Sequence, residues 1–235
     1  MQDLAGIIPL DKPAGMTSRQ AVDRVKHKLP HRTKCGHAGT LDPFATGVLL
    51  VLVGNATKAC EALMDAGKTY HATLRLGAST PSDDPETPPI ACHEPPRPAR
   101  SDVDAAVAGF SGTILQTPPV YSALKRGGRR AADRVRAGEK VVMEPRPVRI
   151  DRLAVAAYDW PVLEVSLDCG RGFYVRSLAR DLGRVLGTGA YLTALRRTRV
   201  GPFDVAAAID PNDLTVDRIP ELLRPVPPEP CTKRA

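Results

Sequence analysis

The residues best suited to chemistry lie in one stretch, Gly36-His37-Ala38-Gly39-Thr40-Leu41-Asp42-Pro43-Phe44-Ala45-Thr46-Gly47. Glycines at 36, 39 and 47 let a ligand approach the backbone closely, and Pro43 biases the preceding Asp42 toward an extended conformation, which fixes the direction of its carboxylate. Taken alone, Asp-Pro is an ordinary turn or cap. Within this loop it is a presented carboxylate, able to act as a nucleophile or as a base.

What the sequence lacks narrows that chemistry. There is no G-x-x-x-x-G-K-[ST] phosphate loop, and Gly187-Thr188-Gly189 follows a helical pattern and lacks a third glycine, so no nucleotide cofactor is indicated. The G-x-S-x-G and H-E-x-x-H signatures of the commonest hydrolases are also missing. Cysteines at 35, 60, 92, 169 and 231 never reach C-x-x-C spacing and no His pair stands at ligand intervals, so free thiols in a reducing compartment are expected and no metal site. The N-terminus has no basic stretch followed by an apolar one, and the run Val48 to Val53 is too short to cross a bilayer, which reads as a cytoplasmic protein with no membrane partner.

The carboxylate needs a frame. A chain of 235 residues with 43% hydrophobic content can bury a substantial core, and one domain over 1–210 with a Pro-rich tail at 211–235 is expected. The net charge of +7 points to a polyanionic partner. Gly6 to Leu10 reads as a strand, and Thr17 or Ser18 caps a helix whose Ala21, Val22, Val25 and Leu29 recur at helical spacing. The run between Gly47 and Gly54 reads as a strand buried on both faces, followed by a helix over about 56–64. Alternation from Lys68 to Leu76 puts Tyr70, Ala72, Leu74 and Leu76 on one apolar face. Seven prolines between 81 and 98 make a long loop, after which Ser101 and Asp104 suggest a capping box with Val103, Val107 and Phe110 as the apolar stripe. Strands near 113–116, 147–157 and 162–169 and a helix over 174–186 burying Val175, Leu178, Leu182 and Val185 complete an α+β fold with a mixed, largely antiparallel sheet.

Residues 36–49 closely resemble the catalytic loop of the TruB family of tRNA pseudouridine synthases, GHxGTLDPxATGvL. The resemblance extends to LDKPAGMTS at 10–18, KTYHATLRLG at 68–77, QTPPVYSALKRGGR at 116–129, CGRGFYVRSLARDLG at 169–183 and LRRTRVGPF at 195–203. It implies a pseudouridine-synthase fold with helices and loops flanking the sheet, a cofactor-free isomerase, and uridine 55 in the T loop of tRNA as substrate. It further implies Asp42 as the catalytic aspartate, Tyr70 as the tyrosine stacking on the base, and Arg176 as the arginine that pairs with the aspartate. Arg176, Arg180 and Arg184 fall on one helix face, so a solvated basic stripe is the alternative.

The resemblance also places His37 against the RNA as a wedge in base flipping, and Asp84 against the flipped base, with Asp83 competing because STPSDDPE departs from the family's pattern. Lys12, Gly39, Thr40, Tyr174, Leu195, Lys125 and Arg129 join the substrate-binding set by the same likeness. Leu124 to Lys140 carries seven Lys or Arg against Asp133 and Glu139, and sits in a segment (118–147) that resembles the family's RNA-gripping thumb, though the family's aromatic there is replaced in GGRRAADRVRAG. Neutralising about five phosphates gives a log-log salt slope near −4. The residues after Phe203 are too few for the PUA domain that bacterial relatives often carry, so a catalytic domain without one is expected, working as a monomer with no protein partner.

Overall fold

In a computed structural model, residues 4–228 are described; Cys231 and the end of the Pro-rich tail lie outside them. In chain order come β1 (Gly6–Lys12), α1 (Ser18–Lys26), β2 (Cys35–Ala38), β3 (Thr46–Val53), α2 (Cys60–Asp65) and β4 (Lys68–Leu76). They are followed by β5 (Ala78–Ser79), β6 (Ile90–Ala91), α3 (Arg100–Ala108), β7 (Gly112–Gln116), β8 (Lys125–Arg126), β9 (Arg129–Arg130) and α4 (Ala131–Arg136). The remainder is β10 (Arg146–Asp159), β11 (Val162–Cys169), α5 (Val175–Val185), β12 (Ala190–Val200), β13 (Phe203–Asp204) and α6 (Ile219–Leu222). This is the expected α+β class, with mostly antiparallel pairing. Among the described residues no helix is long and apolar enough to cross a membrane.

The chain divides into two compact units, one running through Tyr70 and resuming at Arg196, the other spanning His71–Leu195. In the first, β3 is the spine. It pairs antiparallel with β1 along one edge and with β2, then β12, along the other, and Val48 to Val53 are at most 1% exposed, so both of its faces are covered. Each such side chain contributes about 1.5–3 kcal/mol by leaving water. Helix α1 starts at a Thr17–Gln20 capping box and buries Ala21, Val22 and Val25. The expected helix over 56–64 is instead a 3-10 turn, Gly54–Ala59, leading into α2. Gly54 turns the chain at φ 59°, where a Cβ would lie 2.3 Å from Leu4 O, and Thr57 Oγ1 donates to Gly54 O at 2.8 Å, tightening the turn.

In the second unit β11 and β10 pair through a bulged register, β7 adds at β10's far edge, and Leu163, Val165 and Leu167 face the core. Two local expectations fail here. Helix α3 begins at Arg100, with Asp102 Oδ2 accepting from Ala99 N at 2.9 Å, while Asp104 is taken by Arg100, so Ser101 and Asp104 form no box. Val185 is 62% exposed: it ends α5, and the chain folds back at once through Thr188 and Gly189, whose N–H groups donate to Gly183 O.

Candidate active site

The Asp42 loop is held from three sides by residues of its own unit. Ser18, the first residue of α1, donates its hydroxyl to Leu41 O and accepts from Leu41 N, both at 2.9 Å. Gly15 N and Lys12 Nζ donate to Pro43 O at 2.8 and 3.3 Å. Arg197 donates from Nη2 to Gly39 O at 3.1 Å, from Nη1 to Thr40 O at 3.5 Å and from Nε to Val48 O at 2.7 Å. Ala45 N closes the turn onto Asp42 O at 3.1 Å. A loop whose backbone is pinned on both sides of one residue keeps that residue's side chain aimed without paying for ordering at each encounter.

The two cations come from the strand register. Lys12 lies opposite Gly47 across β1 and β3, and Arg197 lies opposite Gly47 across β12 and β3, so one row reads Lys12, Gly47, Arg197. Gly47 is required there. It sits at φ 106°, and a Cβ would come within 2.1 Å of Arg197 O. The missing side chain lets the β12 backbone pack directly on β3, and the two cations on either side of Gly47 are buried, Lys12 being 0% and Arg197 1% exposed. Both find carbonyl acceptors, Lys12 also donating to Met16 O at 2.7 Å and Pro13 O at 2.8 Å, which offsets the cost of burying charge. Burial pushes the Lys12 ammonium down to about 8 against the opposing pull of Asp42, and Arg197 pushes it the same way as burial. Asp42 itself is half-buried within reach of that positive field.

His37 stands on β2 opposite Val51, half-buried, with its ring held toward the neutral form first by burial and then by Arg197 and Arg19. Thr40 is exposed on the loop, and Tyr70 is 8% exposed on the apolar face of β4. Lys12, Gly39, Thr40 and Asp42 are thus brought together by shared backbone contacts.

In the second unit Arg176, 4% exposed on the first turn of α5, meets Asp84 Oδ2 at 3.2 Å and Ser82 O at 3.3 Å. Asp83, the competitor, meets Arg180 at 2.9 Å, so the two adjacent carboxylates take two arginines one turn apart. The arginine stripe therefore runs from buried at 176 to exposed at 184, and the solvated reading fits only its end. Burial pushes the Asp83 carboxyl up to about 6, opposed by Arg180 and Arg176. Asp84 is fixed by Glu86 N donating to its Oδ1 at 2.9 Å. Tyr174 precedes α5, its backbone bonded both ways by Gln116 and its ring under the Arg146 guanidinium at 5.3 Å. Leu195 is buried on β12. Lys125 and Arg129 are exposed on the β8–β9 hairpin that leads into α4.

A family model described as "TruB family pseudouridylate synthase (N terminal domain)" matches residues 26–175, and one described as "tRNA pseudouridylate synthase B C-terminal domain" matches 176–224. The chain belongs to the TruB family of pseudouridylate synthases. It is 46% identical to a tRNA pseudouridine synthase B of Aromatoleum aromaticum over 204 residues, 87% of this chain and 66% of that one. A tRNA pseudouridine synthase B of Mycobacterium avium is 46% identical over 213 residues, 89% of this chain and 69% of that one. Among solved structures, a Cbf5-Nop10-Gar1 complex aligns at TM-score 0.72 and 30% identity, covering 94% of this chain and 60% of that one. The chain therefore spans about two thirds of the length of these TruB relatives.

Arg197 is the functional residue that sequence reasoning missed in this TruB chain. It lies in LRRTRVGPF, but a buried arginine at an apolar position breaks the alternation that would have marked β12, so neither strand nor residue stood out. The buried positions of β12 are Ala190, Tyr191, Leu192, Leu195, Arg197 and Val200, which keep no regular period of two.

Proposed function

We propose that this chain isomerises uridine 55 in the T loop of tRNA to pseudouridine, with Asp42 as the catalytic carboxylate and no cofactor. The reaction breaks the bond from N1 to the sugar, turns the uracil over and joins C5 to the same carbon, so no external electrons are required. Asp42 attacks the sugar or base, or removes a sugar proton; all three routes need it ionised beside a desolvated base, where burial alone opposes ionisation. The clamped loop carries this reading: Ser18, Lys12 and Arg197 fix the backbone around one carboxylate, and Lys12 adds positive potential.

Arg176 is assigned to pair with Asp42, its guanidinium staying charged at any working pH. Tyr70 offers its ring to the extruded uracil, and its phenol can assist removal of the C5 proton. His37 fills the space the uridine leaves on flipping, and Asp84, Tyr174 and Leu195 line the base. The T arm of tRNA is the substrate, favoured because the relatives named for tRNA are 46% identical, against 30% for the Cbf5-Nop10-Gar1 complex. The chain is read as a monomer that needs no protein partner, which size-exclusion chromatography of the active enzyme checks.

Incubation with unmodified tRNA and position-resolved pseudouridine mapping tests the reading. The wild type gives one new pseudouridine in the T loop, while Asp42→Asn lowers kcat on the order of a thousandfold or more with tRNA affinity retained. Undiminished turnover in Asp42→Asn would refute the assignment.

A further inference from the structure

The first unit carries a second charged feature. Arg24 to Lys34 reads RVKHKLPHRTK, with five Lys or Arg, two His and no carboxylate. Its C-terminal part is a fixed turn. Thr33 donates to Pro30 O from N at 3.2 Å and from Oγ1 at 2.7 Å, Arg32 holds φ 69°, and Gly54 N donates to Lys34 O at 2.9 Å. The backbone is pinned while the side chains of His31, Arg32 and Lys34 stay exposed.

This segment walls a cleft of about 1130 Å³, with β2 on the other side and Lys26, Arg32 and Lys34 among its lining. Its single carboxylate, Asp23, is engaged by Arg19 at 3.1 Å. Among the described residues no carboxylate pairs with Lys26, Arg32 or Lys34. His37 lines the same cleft, and its Nδ1 is buried with no hydrogen-bond partner among the described residues. The cleft thus offers open, charged donors on a rigid backbone at one end and reaches His37, two residues before the Asp42 loop begins at Gly39, at the other.

We propose that this cleft binds the sugar-phosphate backbone of the RNA substrate, with Arg32, Lys34 and Lys26 on phosphates. The inference rests on RNA being the substrate. A concave site with unpaired cations fits a polyanionic chain threaded past it, and its one carboxylate, Asp23, already engaged by Arg19, offers a basic partner little purchase.

The test is tRNA binding by the full chain, measured by fluorescence anisotropy across a KCl series beside steady-state kinetics. Arg32→Gln/Lys34→Gln raises Kd at least about tenfold near 0.1 M salt and flattens the log-log salt slope by about 1.5, while kcat at saturating tRNA stays within about twofold. Lys26→Gln, on the helix, gives a smaller loss in the same direction. The control Arg75→Gln/Arg152→Gln removes the same charge from exposed sites outside the cleft and leaves Kd within about twofold. An unchanged Kd and slope in the cleft variant, or an equal loss in the control, overturns the proposal. So does loss of binding to polyglutamate with tRNA binding intact, which assigns the cleft to an acidic polypeptide. If the wild type binds tRNA through the cleft yet forms no pseudouridine, the cleft stands and the reaction assignment falls.

Discussion

Two segments of this chain carry the same net charge and use it differently. Residues 24–34 hold five cations and no carboxylate, and residues 124–140 hold seven cations against two carboxylates. In the second, Arg129 and Arg134 converge on Glu139 at 2.7 and 2.6 Å, and Arg136 engages Glu86 from outside the segment while lying 5.9 Å over the Tyr121 ring. Glu139 is accordingly held below the ordinary carboxylate range, first by Arg134. In the first, Lys26, Arg32 and Lys34 face a cleft without such partners. Charge counted along a sequence therefore overstates what a thumb can offer to phosphates, because part of it is spent internally. These exposed pairs are individually weak, so RNA can compete for them, but it must displace a carboxylate each time.

The comparison extends to cations that never meet solvent, and there the largest effect is expected. Arg197→Met leaves the carbonyls of Gly39, Thr40 and Val48 without their donor; stability drops by about 3–5 kcal/mol in chemical unfolding, and kcat falls about a hundredfold as the Asp42 loop loosens. Unaltered turnover in a folded Arg197→Met protein would remove Arg197 from the positioning role. Next comes the buried pair Asp83–Arg180. Because the folded-state pKa of Asp83, about 6, lies above the ordinary 3.8, the folded state holds the extra proton between these values. Stability contributed by this group is full below about 4 and is lost as pH rises through 6. Wild type minus Asp83→Asn in pH-dependent melting should show that decline, up to about 3 kcal/mol, as the difference between the two curves across the window. A parallel pair of curves would mean that Arg180 outweighs burial.

At the surface the effects shrink and the contrast sharpens. Arg32→Gln raises tRNA Kd about fivefold, and Arg129→Gln, whose guanidinium is already committed, raises it less than about twofold. The reverse order would break the distinction between open and spent charge. Glu139→Gln, which releases Arg129 and Arg134, strengthens tRNA binding about threefold at 50 mM salt and steepens the salt slope. A weaker complex would show that Glu139 organises the thumb for RNA instead of competing with it.

Much of this architecture could be read from residue order, because the elements that could be read obey a single period. The buried run at 48–53 and the alternation at 68–76 and 162–169 have no competing signal, and Thr17 with Gln20 supplies a local cap. Where a long-range partner decides, residue order falls silent. Lys12 and Arg197 are tolerated in the interior because Gly47 lets β12 pack against β3 and because the loop's carbonyls accept their hydrogen bonds. The carboxylate at 42 was conspicuous from its neighbours, but the frame that aims it draws on Ser18, Lys12 and Arg197, residues far apart in the chain that only pairing with β3 and the start of α1 bring to one place. The same blindness concealed the cleft, since Lys26 looks like the polar face of α1 and Arg32 and Lys34 like ordinary turn residues.

Ser18 has a mechanical meaning. Its hydroxyl grips Leu41 by both backbone atoms at one end of α1, and the other end of that nine-residue helix carries Lys26 into the cleft wall. A helix of this length is a stiff rod of about 14 Å. One short helix thus anchors, at its two ends, the residue adjoining the carboxylate and a wall of the cleft.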